Sequence, residues 1–110
     1  MQFDDYQKQS AKTLLSGQDD VIVLARMALG LAGESGEVAE KIKKVLRDDN
    51  GNISAEVRKQ LCHELGDVLW YLARLADIAK IDMSHIAEKN LEKLESRQKR
   101  GKLGGSGDNR

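Results

Sequence analysis

Two acidic pairs, Glu34-x-x-Glu37 and Glu64-x-x-Asp67, are the residues of this chain whose types and spacing can do chemistry. At about 100° per residue of helix, Glu34 and Glu37 share a band about 60° wide with Gly30 and Lys41. Glu64, Asp67 and Tyr71 share a second band of about that width. Each band borders an apolar stripe: Leu24, Met27, Leu31, Val38, Ile42 and Val45 beside the first, Leu61, Leu65, Val68, Leu72 and Leu75 beside the second. Taken singly, an acidic pair three residues apart on a charged helix is ordinary solvated surface. Two such pairs in phase, on helices joined by a short turn, bring four carboxylates to one spot. Like charges that close stay ionised in a partly dry site only when a cation compensates them. An all-oxygen donor set suits a hard ion, Mg²⁺ or Mn²⁺, rather than zinc or copper.

Rival chemistries lack their residues. A di-iron bundle needs Glu-x-x-His, and neither pair has it. His63 follows Cys62 directly, so the two point to different helix faces and read as structural. Aligning Gly51 with the glycine of a calcium loop puts Leu46 and Val57 at the two outer ligand positions, so "DDNGNIS" is a turn. The Walker pattern Gly-x-x-x-x-Gly-Lys-Ser/Thr is absent.

The elements that must position these carboxylates are helices. There is no proline and aromatic residues are few, which suits an all-α, four-helix bundle-like protomer. The pattern predicts a first helix over 3–15, broken by "SGQDD", and a second over 23–47, ended by "DDNGN". Ser54 is the expected N-cap of a third helix that runs to about Ala79. A fourth starts near Asp82 or Ser84 and fades at Arg97, leaving an irregular tail over 98–110. The whole of 1–110 reads as a single domain. On the fourth helix, Asn90, Lys93 and Arg97 fall within about 60° of one another. They are either phosphate contacts or a solvated basic face near a helix C-terminus.

The second helix holds Gly30, Gly33 and Gly36, which together give up about 3 kcal/mol of helix propensity. Helical phase puts Gly30 on the carboxylate face, where it would leave room for metal and phosphate. Gly33 and Gly36 face elsewhere, where a neighbouring helix could come close. Ala25, Ala28, Ala32 and Ala39, with Trp70 and Ala73 on the third helix, widen the apolar faces, which suits either a second copy of the chain or a helix central in its own bundle.

Lysine plus arginine and aspartate plus glutamate both number 18, so bulk charge calls for neither nucleic acid nor an anionic membrane. One cysteine, no spanning apolar run and no signal-like N-terminus give the expectation of a soluble, cytoplasmic domain.

The segments "GLAGESGEVAEKIKK", "ELGDVLWYL" and "NLEKLESRQKRGKLGGSGDNR" closely resemble the MazG-like nucleotide pyrophosphohydrolases of the all-α NTP pyrophosphatase superfamily, from about Ala28 to the C-terminus. The resemblance implies a homodimer or a dimer of dimers. It also implies Mg²⁺-dependent hydrolysis of a nucleoside triphosphate, a deoxynucleotide favoured, between the α- and β-phosphates. On that basis Glu34, Glu37, Glu64 and Asp67 hold the metal, and Glu34 or Glu37 activates water. Lys41, Asn90, Lys93 and Arg97 contact phosphate or sugar. The tail is expected to be an ordered loop lining the pocket. Three alternatives stay open: a dUTPase-like enzyme, a phosphoribosyl-ATP pyrophosphohydrolase, and a non-catalytic nucleotide- or metal-sensing regulatory bundle.

Overall fold

A computed structural model describes residues 1–15 and 17–110. Ser16, where the predicted break after the first helix begins, lies outside the described residues. The chain is all-α, with α1 Phe3–Ala11, α2 Asp20–Asp49, α3 Ala55–Ile78 and α4 Met83–Lys99.

Helix ends follow local chemistry. Ser54 caps α3 as expected, its hydroxyl accepting from Val57 N at 3.1 Å. Asn50 takes the left-handed conformation that ends α2 (φ 52°). Helix α4 closes with Gly101 at φ 65° and Lys102 N donating to Arg97 O at 2.7 Å, the six-to-one bond of a Schellman motif. Helix α1 is shorter than the periodicity predicts and stops at Ala11 rather than Leu15. The amides of Lys12, Thr13 and Leu14 instead turn back three residues, to Gln9, Ser10 and Ala11. The Thr13 hydroxyl bonds Ser10 O at 2.8 Å and accepts from the Trp70 indole at 2.7 Å. That contact across to α3 outweighs the helical preference of the last turn.

Helix α2 lies antiparallel on α3, pairing Gly30 with Tyr71 near one end and Lys41 with Glu64 further along. Helix α1 packs on α3 and α4, where Ala73, Ala76 and Met83 form the core with Tyr6, Leu69, Leu72 and Ile86 against them. A polar clasp holds this junction. Arg74, 2% exposed, donates to Gln7 O, to Ser10 Oγ at 2.9 Å and to Asp77 Oδ2 at 2.6 Å. The Gln7 amide donates to Asp77 Oδ1 (2.8 Å) and Ile81 O (2.9 Å), and its oxygen accepts from Met83 N (2.9 Å).

Asp82, the N-cap of α4, makes no side-chain cap bond. Asp4 of α1 does that work, accepting from Ser84 N at 3.0 Å and Ser84 Oγ at 2.8 Å. These two bonds, the backbone one first, hold the Asp4 carboxyl below its ordinary pKa. A depressed acid pKa contributes stability above the ordinary aspartate value that is lost as the pH falls through the lowered one. Asp4→Ala is therefore expected to lower the thermal midpoint by several degrees at neutral pH and to leave little difference from wild type once acid has protonated Asp4. Paired melts across the acid range check this.

The molecule is spread out. Its radius of gyration is 16.9 Å, against about 13 Å for a compact domain of this length. Along the predicted stripes Met27 (0%) and Val45 (4%) are buried, while Leu24 (42%) and Leu65 (54%) remain exposed. The C-terminal tail is ordered by arginines: the Arg110 guanidinium donates to the carbonyls of Lys102, Leu103, Gly104 and Gly107, and Arg100 donates to Arg110 O.

Candidate active site

The carboxylates of Glu34, Glu64 and Asp67 each place a ligand atom within 4.8 Å of the other two. They meet because α2 and α3 run antiparallel and each helix turns one polar edge toward their shared groove. Glu34 and Glu64 are half-buried and Asp67 is exposed. Partial desolvation, then the charges of Asp67, Glu64 and Glu37, raise the pKa of Glu34 above the ordinary glutamate value. Lys41 stands against Glu64 at 3.5 Å and is the one basic side chain in salt-bridge contact with the three carboxylates among the described residues. This donor set fits a hard divalent ion: oxygen atoms only, close enough to share one cation, with net negative charge and an open side toward water.

The other sequence candidates lie differently. Glu37 is exposed and stands outside the three-carboxylate group; three residues beyond Glu34, it is turned about 60° around α2. Its charge still reaches Glu34. Asn90 lines a cavity of about 190 Å³ with Phe3, Leu69, Leu72, Met83, Ile86 and Ala87. By helical phase Leu69 and Leu72 lie about 140–160° around α3 from Asp67, so Asn90 is across α3 from the carboxylates of its own chain. Lys93 is exposed. Arg97 is buried, 6% exposed, and donates to Asp108 O at 2.7 Å, which makes it an anchor of the tail. Its helical spacing from Asn90 carried no information about that tertiary bond.

Gly30 has a different role from the one its phase implied. A Cβ there would run into the ring of Tyr71, so the glycine makes room for an aromatic side chain of α3. Tyr71 in turn meets Trp70 edge to face, centroids 4.9 Å apart. Gly30→Ala must push Tyr71 or the two helices apart. It should lower stability and weaken divalent-ion binding together, checked by thermal melts and Mn²⁺ titration. At Gly33 and Gly36 an added Cβ meets nothing within 4 Å, so no helix of this protomer uses their small size.

An all-helical chain that gathers carboxylates between two antiparallel helices belongs to the class of all-α acidic-site proteins rather than to P-loop or β-sheet phosphate binders. The family model described as the MazG nucleotide pyrophosphohydrolase domain matches residues 24–101, and the chain belongs to that family. A curated relative, the Gene 37 protein of Mycobacterium phage L5, is 46% identical over 114 aligned positions that cover 100% of both chains. No solved structure matches.

Proposed function

We propose that the protein hydrolyses a nucleoside triphosphate, a deoxynucleotide by preference, between its α- and β-phosphates in a Mg²⁺-dependent reaction. The convergence of Glu34, Glu64 and Asp67 in a member of this family is the observation that carries the reading. Glu34, Glu64 and Asp67, with Glu37 beside them, would hold a divalent ion, which would supply charge to offset the phosphates and a more acidic water. Mn²⁺ would substitute for it.

The chain's own groups do the rest. Glu34, half-buried within the carboxylate group, accepts the proton of the attacking water, while the exposed Glu37 orients that water. The water oxygen bonds to the α-phosphorus, and the bond from that phosphorus to the bridging oxygen breaks. Pyrophosphate leaves with the electron pair, and the proton passes from Glu34 to solvent. Lys41 offsets charge on the phosphates as they leave.

The enzyme acts as a homodimer or a pair of dimers. Leu29, Leu65 and Leu91 are 73%, 54% and 65% exposed, an unusual amount of apolar surface for a chain whose compact core is so small. A second copy would cover these faces and approach the open side of Gly33 and Gly36. It would also bring Asn90 and Lys93 of one chain to the carboxylates of the other, which the protomer alone does not do. Among the described residues no helix is long and apolar enough to cross a membrane.

The test is a substrate panel: each ribo- and deoxynucleoside triphosphate with Mg²⁺, read as phosphate after an added pyrophosphatase. The expected result is turnover of one or a few of them. No turnover of any triphosphate overturns the enzyme reading and leaves the nucleotide- or metal-sensing alternative.

A further inference from the structure

Cleavage at the α-phosphorus fixes that atom near Glu34, Glu64 and Asp67, but it leaves open which way the rest of the substrate runs along the α2–α3 groove. The two directions are chemically unlike. Toward Gly30 the Tyr71 ring packs against the α2 backbone. Toward the α2–α3 turn it continues into a cavity of about 220 Å³ lined by Lys41, Lys44, Val45, Asp48, Asp49, Val57 and Gln60. That is room for about seven waters, enough for a diphosphate group. Lys41 is shared by the cavity and the acidic site, since it also pairs with Glu64 at 3.5 Å.

We propose that this cavity is the leaving-group subsite, in which Lys41 and Lys44 hold the β- and γ-phosphates while the nucleoside lies at the Tyr71 end. The inference rests on the hydrolase reading above. Lys44 lies three residues, about 5 Å of helix rise, beyond Lys41 toward the turn, which suits successive phosphates. It makes no ion pair among the described residues, so its ammonium is available to an anion. Gln60, one turn before Glu64 on α3, lines the opposite wall; its amide nitrogen donates to Glu56 Oε1 at 3.3 Å and keeps a second N–H for an anion. Asp48 and Asp49 belong to the last residues of α2, at the turn end of the cavity. Asp48 is already engaged by Arg47 through two bonds of 2.8 and 2.9 Å, while Asp49 makes no ion pair among the described residues. These aspartates disfavour any further phosphate, so the groove accepts a diphosphate end and discriminates against longer polyphosphate chains.

The test uses inorganic pyrophosphate as the probe, in the presence of Mg²⁺, on wild type, Lys44→Glu and Lys44→Arg. Lys44→Glu is expected to weaken inhibition by pyrophosphate about tenfold or more, as loss of a charged contact implies, and to raise KM for the triphosphate. Inhibition by the nucleoside monophosphate should stay the same, and Lys44→Arg should retain pyrophosphate binding. Amide shifts at Lys44 and Gln60 on adding pyrophosphate to wild type give a readout independent of turnover. Unchanged pyrophosphate inhibition in Lys44→Glu, or equal weakening for pyrophosphate and monophosphate, overturns the proposal while leaving the hydrolase reading intact. A wild type that turns over no triphosphate overturns the hydrolase reading instead, and absent amide shifts then overturn the subsite as well.

Discussion

Asp67→Asn is expected to lower kcat by about a thousandfold or more and to leave the helices intact. Loss of one carboxylate ligand would weaken the hold on the cation that offsets charge on the reacting phosphate, an effect of the size seen when a preorganised electrostatic contact is lost from an active site. Asp67 is exposed, so asparagine fits without a cavity. The same change should steady the metal-free protein. Asp67 is the largest of the neighbouring charges that raise the Glu34 pKa. A carboxyl with a raised folded pKa contributes stability that is fully present below the ordinary glutamate value and is lost as the pH rises through the raised one. Without metal, wild type should therefore lose stability across that interval, and Asp67→Asn should lose less. Added Mg²⁺ should raise the melting midpoint of wild type above that interval and do little for the variant. Circular dichroism melts with and without Mg²⁺, beside steady-state kinetics, separate the two effects. A collapse of helicity in Asp67→Asn would make the carboxylates structural.

The second large effect belongs to Arg74, on the same helix but away from the carboxylates. Arg74→Met should cost about 3 kcal/mol, enough to lower the melting midpoint by ten degrees or more in a domain of this size. The guanidinium is 2% exposed and ties Gln7 O and Ser10 Oγ of α1 to Asp77 of α3. Methionine fills much of the volume but leaves Ser10 Oγ without the donor it accepts from, and leaves Gln7 O with the Ser10 hydroxyl at 3.2 Å in place of a charged donor. Asp77, 41% exposed through its side chain, can turn to water, which limits the loss. Lysine at 74 keeps the charge but not the fork of donors, so it should recover only part of the stability. Chemical denaturation of the three proteins measures this directly. Equal midpoints would mean that α1 is held by its apolar contacts alone.

The contrast between these two residues explains what the sequence made legible. The carboxylate faces, the Ser54 cap and the Asn50–Gly51 turn depend on residues within a few positions of one another, and helical periodicity reads such patterns well. The antiparallel setting of α2 on α3 followed from the shortness of that turn. Arg74 with Gln7, and Asp4 with Ser84, are joined across 67 and 80 residues, so no local pattern announced them. The same reason explains why Thr13 ends α1 early: its partner is Trp70.

Arg97 stood at the right spacing for a phosphate contact, but the tail folds back and takes it. Gly30 was rightly placed on the carboxylate face, yet the space it leaves is filled by Tyr71 rather than by ligand. Glu37 shares the helical band of Glu34 but sits at its far edge, exposed and outside the three-carboxylate group. A band about 60° wide was too coarse to tell these two carboxylates apart.

Phosphorus NMR of a turned-over deoxynucleoside triphosphate, followed with Mg²⁺ and no auxiliary enzyme, tests the central claim most directly. The three triphosphate resonances are expected to give way to one monophosphate signal and one pyrophosphate signal in equal molar amounts, with no orthophosphate. Formation of orthophosphate with a nucleoside diphosphate would place the cleavage at the γ-phosphate and contradict it.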